Sequence, residues 1–495
     1  MKITTKIAQL WWVWLLLAGA ATYALAMWVS IGQSVWFDEG YSIMLAQQPV
    51  GDLLALTAVD AHPPFYYLLL KGWAGVFGWS EFALRSLSAV AAGLGVIGVG
   101  LILRKLFSTR VALAVLPFLV FAPFALRYGY EIRMYAIVAL IAIAATLVLL
   151  YAVKQNRLWQ WITYAALVAL GMYTLYMVVV VWVAHVVWLV VRSHKAKQPM
   201  LQWRWPLAYI GAVILYLPYI STFFYQMTNS ALPGIGGPVT MTTLVNMLTM
   251  YGLYTPEWQM GAYLSLLLLA LIVGVVYLFV SMRRKLPSQY KTGLLFLITI
   301  VGVAMAVFVA TSLPPRDPIF ILRYTAHIAL FCYGLVGVIV VLAWKYGNKR
   351  VATIIAVGLL FVAVLGVFQL QKTGNLVFER LQHPQTAQIR ENITCDDSTT
   401  IVADDPYTYI DSVFYFKDCD LKFYSATPIE KKGGYAPLHD STQRIDSDTQ
   451  ITTPKLIHLY WNNGNETFIP PANFTLKETR VYDKQVVSEY VLTEE

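Results

Sequence analysis

The chain has 495 residues, of which 58% are hydrophobic and 13% charged, against roughly half apolar and a quarter charged in an ordinary soluble domain. This balance excludes a soluble globular protein and points to the membrane. The formal charge of +9 does not imply nucleic acid, because the placement of the basic residues accounts for it as a topology signal.

Taken in chain order, Lys2 and Lys6 precede an apolar stretch from Leu10 to Ile31. That stretch is too long for a signal-peptide core and is expected to be a retained first span. Further stretches long enough to cross a bilayer recur at 83–103, 110–126, 132–153, 158–174, 176–192, 205–224, 260–282, 292–312, 320–344 and 351–371, which predicts eleven transmembrane helices. The fifth and sixth form a tight hairpin through Tyr173, Thr174 and Tyr176. Residues 52–77 and 239–250 read as short amphipathic stretches along the interface.

With the N-terminus inside, the Lys and Arg residues at the span ends divide eighteen inside against six outside. This fixes the expected orientation by the positive-inside rule. An odd number of spans then leaves residues 372–495 outside, as a small extracytoplasmic domain. There long apolar runs stop, and strand-like stretches appear at Thr400–Ala403, Leu421–Tyr424, Leu456–Tyr460 and Lys484–Leu492, so an α/β or α+β fold is expected. Three cysteines are too few for a disulfide framework. Cys395 and Cys419 share the outer segment, which leaves a single bridge open, while Cys332 lies in an apolar run.

Ionisable residues gather in the outer loops. The first begins Trp36-Phe37-Asp38-Glu39-Gly40-Tyr41-Ser42. Two adjacent acids at a membrane surface are either solvated or partly desolvated, and desolvation raises a carboxylate toward the range of a general base. Asp60-Ala-His62-Pro63-Pro64-Phe65-Tyr66-Tyr67 follows, where the double proline predicts a rigid break and then a helix. The second outer loop reads Arg127-Tyr128-Gly129-Tyr130-Glu131-Ile132-Arg133-Met134-Tyr135. Ionisable groups at this depth are functional candidates by default. A third cluster holds Arg316-Asp317-Pro318 and Arg323-Tyr324. Arg316 and Asp317 are read as a surface pair, whereas Arg323, at a helix entrance, suits a phosphate.

The Asp-Glu pair after the first span, the His-Pro-Pro segment, the Glu81-Phe82-Ala83-Leu84-Arg85 stretch and the Arg/Tyr-rich second loop together resemble the GT-C glycosyltransferases. The resemblance is to their protein O-mannosyltransferase and aminoarabinose transferase branch, over residues 1–370. It implies transfer of a sugar from a polyprenyl-phosphate donor to a lipid, glycan or protein acceptor hydroxyl at the outer face of the cell membrane, with inversion. On this resemblance Asp38 would be the catalytic base and Glu39 its support, and Glu131 matches the acidic position of the second loop. Arg133 and Arg323 would hold the lipid phosphate, with Tyr66 and Tyr135 donating hydrogen bonds to it. Asp60, His62, Arg127, Tyr130 and Tyr324 complete the candidate substrate-binding set. Asp38, His62 and Glu131 are also candidate ligands for a divalent metal ion.

Three other readings compete. A nucleotide-sugar enzyme would want an Asp-x-Asp motif facing the cytosol, yet Asp418-Cys-Asp420 and Asp446-Ser-Asp448 fall in the outer segment. A transporter or flippase of lipid-linked sugars would place ionisable residues near mid-bilayer. His185 is the main such residue and is read as a hydrogen-bonded packing residue. In a scaffold, the C-terminal domain would be the working part.

Overall fold

The computed structural model describes residues 9–195, 204–229, 239–256, 260–313, 321–374, 376–377, 380–381, 385–462 and 467–493. The Arg316-Asp317-Pro318 cluster lies outside them. The chain separates into two compact units: Met1–Val29 with Arg85–Lys372, and Ser30–Leu84 with Thr373–Glu495.

The first unit is helical and membrane-spanning. Among the described residues nine helices are long and apolar enough to cross a bilayer: Trp11–Val29, Glu81–Leu106, Tyr135–Gln155, Tyr176–Ser193, Arg204–Asn229, Ala262–Met282, Ser288–Ala310, Leu322–Tyr346 and Lys349–Thr373. The expected count of eleven is corrected at two places. The stretch 110–126 is a broken span, Thr109–Val120 followed by Pro123–Tyr130, bent by 66°. Pro123 opens the second helix, and Ala122 before it is extended at φ −101° and ψ 90°, as the residue preceding a proline prefers. The stretch 158–174 yields Leu158–Met172, a helix of 15 residues, short of the roughly 20 that cross a bilayer upright.

Helices approach closely where side chains are small. A Cβ built on Gly93 would lie 2.6 Å from the Gly19 carbonyl oxygen, the small-residue contact by which membrane helices pack. His185 is hydrogen-bonded in the interior, to Thr146 Oγ1 at 3.0 Å and to the Tyr164 hydroxyl at 2.9 Å. A cavity of about 260 Å³ opens among apolar side chains that include Phe118, Met247, Leu268, Val301 and Val362.

The second unit joins the first loop to the C-terminal segment. From the loop come the helices Phe37–Gln47, Val50–Ala58 and Phe65–Phe77. The last begins directly after Pro63-Pro64, whose fixed φ ends the preceding turn. Lys71 Nζ donates to the carbonyls of Ala46 and Gln48 at 3.1 and 2.9 Å, satisfying acceptors that the end of the Phe37–Gln47 helix leaves open.

The C-terminal segment forms a hairpin, β1 (Leu376–Val377) with β2 (Arg380–Leu381), and a six-stranded sheet. The sheet contains β3 (Thr399–Ala403), β4 (Asp420–Tyr424), β5 (Arg444–Ile445), β6 (Lys455–Trp461), β7 (Phe474–Tyr482) and β8 (Gln485–Leu492), in the order β5-β4-β3-β6-β8-β7. Strands β5, β4, β3 and β6 pair in parallel, while β8 adds antiparallel to β6 and β7 to β8. The central β3 is buried along its whole length, as a parallel strand covered on both faces must be. Val402, Ile445, Ile451, Leu456 and Phe468 form a core beside it. Cys395 and Cys419, whose pairing the sequence left open, are bridged. The crossover from β3 to β4 carries the short helix Pro406–Ser412, capped by Asp405, which accepts from the Thr408 backbone at 2.6 Å.

Candidate functional site

The expected site residues fall into two clusters, one in each unit. In the second unit, Asp38 and Glu39 occupy the first turn of the Phe37–Gln47 helix. Acidic side chains there complement the positive end of the helix dipole. Asp38 is half-buried and Glu39 is fully buried at 0% exposure. The Ser42 hydroxyl donates to the Asp38 carbonyl at 2.8 Å. Asp60 is buried, and its Oδ2 stands 3.7 Å from Nδ1 of half-buried His62, an ion-pair distance beyond that of a hydrogen bond. Tyr66 is buried edge-on against Tyr67, which meets Tyr41 in the same way.

In the first unit, Arg127 lies in the last turn of the Pro123–Tyr130 helix, with Glu131 immediately after it. Their side chains pair at 3.0 Å while both residues are nearly sealed from solvent, at 2% and 1% exposure. The Glu131 backbone carbonyl accepts from the Ser88 hydroxyl at 2.6 Å. The Arg85 and Arg127 guanidiniums lie over the Tyr130 ring at 5.6 and 5.4 Å, within reach of a cation–π attraction. Arg133 and Tyr135 are buried, and Tyr128 meets the Tyr135 ring edge-on at 5.0 Å. Further along, Arg323 is half-buried and Tyr324 buried in the Leu322–Ile328 turn that opens a span. Buried Arg127 and Arg133 flank the buried Glu131 carboxylate in sequence, and buried Arg85 shares the Tyr130 ring with Arg127, which makes this a region of concentrated guanidinium, the group whose planar fork matches phosphate oxygens.

Among the described residues, no group of three or more His, Cys, Asp or Glu side chains is arranged to hold a metal ion. Of the donor set expected of Asp38, His62 and Glu131, the first two lie in one unit and Glu131 in the other, and no step below runs through a metal ion.

Sequence reasoning passed over one titratable residue next to Asp38. Asp411, on the Pro406–Ser412 helix, is 0% exposed. Neither carboxyl oxygen closes a hydrogen bond, although the Trp461 indole and the Phe37 backbone N–H face it. Burial, then the nearby Asp405 and Asp38 carboxylates, pushes Asp411 well above the usual carboxylate range. In Asp405-Pro-Tyr-Thr-Tyr-Ile-Asp411 it looks like any polar residue of a short surface helix. Arg85 was noted only as part of a motif, and its near-complete burial was not anticipated.

Residues 61–225 match the family model described as dolichyl-phosphate-mannose-protein mannosyltransferase. No curated protein matches the chain. Among solved structures, ArnT from Cupriavidus metallidurans bound to undecaprenyl phosphate superposes with a TM-score of 0.59 at 14% identity, covering 96% of this chain and 98% of that one. The same protein in the apo state gives 0.57 at 14% identity, covering 97% of each chain. Identity this low speaks to fold alone, but it does so over both units and nearly end to end. The fold is therefore that of this ArnT over nearly the whole chain, and residues 61–225 carry the mannosyltransferase pattern within it.

Proposed function

We propose that the protein transfers a sugar from a polyprenyl-phosphate donor to an acceptor hydroxyl at the outer face of the membrane, with inversion at the anomeric carbon. The observation that carries this reading is the end-to-end likeness to a structure bound to undecaprenyl phosphate. The apolar cavity of about 260 Å³ between the spans has the character a prenyl tail requires. The arginines of the second loop and Arg323 have the chemistry for its phosphate.

In this reading Asp38 is the general base. Half-buried in the first turn of its helix, it keeps one side toward solvent from which an acceptor hydroxyl can approach, and it takes the proton as the oxygen attacks the anomeric carbon. The leaving group is the lipid phosphate. Arg133 and Arg323 stabilise the charge that develops there as the glycosidic bond breaks. Tyr66 and Tyr135 are assigned as hydroxyl donors to that phosphate, and Tyr324 to the substrate-binding set. Glu131, paired with Arg127, orients that guanidinium and its neighbours instead of handling a proton. Glu39 has no exposed surface and supports the turn that carries Asp38.

The transporter reading needs ionisable groups deep in the spans. His185, the main such residue, is held by Thr146 and Tyr164, which favours the packing role. The direct test of the base is Asp38→Asn, which removes the acceptor for the proton and preserves shape. It is expected to abolish transfer while the variant purifies and melts like the wild type. Normal turnover by that variant would refute the assignment.

A further inference from the structure

The Asp38 helix is seated at the place where open α/β sheets ordinarily take a ligand. From β3 the chain passes to β4 and β5 on one side and then to β6 on the other, so the strand order reverses between β3 and β6. The crevice outside the carboxyl ends of strands at such a reversal is the usual ligand position. Here it is bordered by Tyr407, just beyond β3, and by Trp461, which closes β6, with ring centroids 6.5 Å apart. Phe37 lies against this border. Its ring stacks on Tyr407 at 4.7 Å and 7°, and Tyr435 meets it edge-on at 5.4 Å.

The contact continues one turn further. A Cβ on Gly40 would fall 2.3 Å from the Ile410 carbonyl oxygen. Only glycine lets the two helices approach this closely, because the obstructing atom is backbone and cannot swing aside. Asp411 lies next, with the Phe37 backbone N–H and Asp38 among its neighbours. Around this point the loop is tied to the C-terminal segment by polar contacts as well. The Tyr415 hydroxyl accepts from the Val35 backbone at 2.8 Å and donates to Glu81 Oε2 at 2.9 Å. The Ala387 backbone donates to Ser34 Oγ at 3.2 Å, and the Gly433 backbone to the Val59 carbonyl at 3.1 Å.

Resting on the reading of Asp38 as the base, we propose that the C-terminal domain is a positioning element of the transfer site: its Pro406–Ser412 helix sets the first turn of the Asp38 helix through Tyr407, Ile410 and Asp411. None of these three touches substrate in this account. Each acts through the backbone and rings of Trp36 to Gly40, which fix where the Asp38 carboxylate points. The physical case is that a helix of 11 residues is too short to hold its own first turn rigidly in water. A base displaced by about 1 Å can lose on the order of a hundredfold in rate. Burying the Asp411 carboxyl and a stacked aromatic pair under that turn removes the freedom. It also explains why the ligand crevice of the sheet is filled by the chain's own Phe37.

The experiment uses the full-length protein in detergent micelles. Hydrogen exchange of residues 37–47 is measured alongside kcat and KM with radiolabelled undecaprenyl-phosphate hexoses. Tyr407→Ala and Gly40→Ala are expected to speed exchange in 37–47 and to lower kcat about tenfold or more with donor KM little changed. Tyr407→Phe, which keeps the stacked ring, is expected to restore both. Should Gly40→Ala fail to fold, Tyr407→Ala carries the test, since that ring is half-buried and its loss opens no sealed core. Faster exchange with wild-type kcat would overturn the proposal, and so would unchanged exchange. Asp38→Asn, run in parallel, separates the two ideas. Activity in that variant defeats the base assignment, whereas an inactive Asp38→Asn beside a fully active Tyr407→Ala defeats only the positioning role.

Discussion

The buried pair of Arg127 and Glu131 offers a sharp test of how the second loop is held. Both side chains are sealed, at 3% and 2% exposure, and joined at 3.0 Å. In such a pair the attraction and the desolvation cost nearly cancel, so its presence contributes little net stability. Removing one partner is different, because the other then loses its paired charge in a low-dielectric interior. Arg127→Met keeps the length and apolar body of the side chain and takes from Glu131 the guanidinium it pairs with, which is expected to destabilise the protein by about 3–5 kcal/mol. That lowers the folded-to-unfolded ratio by roughly two to three and a half decades. Arg127→Met/Glu131→Leu removes both charges and is expected to recover most of the loss. The assay is denaturant titration in micelles followed by tryptophan fluorescence, with midpoints compared at constant slope. If Arg127→Met unfolds within about 0.5 kcal/mol of wild type, the range of ordinary surface changes, the pair is not the buried ion pair described. If the double variant is as unstable as the single, the loss comes from packing and the electrostatic argument fails.

Asp411 predicts a pH dependence. Its folded-state pKa is raised above the ordinary value of 3.8, so its contribution to stability is fully present below that value and is lost as pH rises through the folded pKa. Asp411→Asn does not titrate and is expected to gain on wild type as pH climbs from 4 toward 9 in melting experiments; a constant gap across that range would contradict the assignment. The Cys395–Cys419 bridge predicts that the denatured, unreduced chain takes up one thiol label, at Cys332, and three after reduction. Mass spectrometry reads this directly, and three labels without reduction would exclude the bridge.

Much of the fold was legible because hydropathy alone sets where helices cross a bilayer. The broken span was less so. Ala122-Pro123 marks a boundary, but the apolar run from 110 to 126 continues through it, and hydropathy does not register a bend. In the sheet, β3, β4, β6 and β8 carry apolar residues and were expected. Strand β7, Phe474–Tyr482, was missed because most of its residues are exposed and its Thr, Lys, Glu and Arg content leaves no apolar face to detect. Arg127 and Glu131 had been given separate roles in binding and catalysis. Their i,i+4 spacing could have suggested the pair, but sequence alone did not show that both would be sealed. Asp411 and Gly40 were out of reach for a simpler reason. Their meaning arises from a contact spanning some 370 positions of chain, and neither the glycine nor the acid is unusual in its own local segment.

The central claim is the chemical nature of the donor, and a donor-exchange assay tests it most directly. Purified protein in membranes or micelles is offered undecaprenyl-phosphate-linked sugars and, separately, the same sugars as nucleoside diphosphate esters, with product followed by mass spectrometry. The account predicts transfer from at least one lipid-linked sugar, release of undecaprenyl phosphate in equal amount, and none from the nucleotide esters. Transfer from a nucleotide sugar without the lipid, or movement of an intact lipid-linked sugar across the bilayer with no glycosidic bond broken, would contradict it.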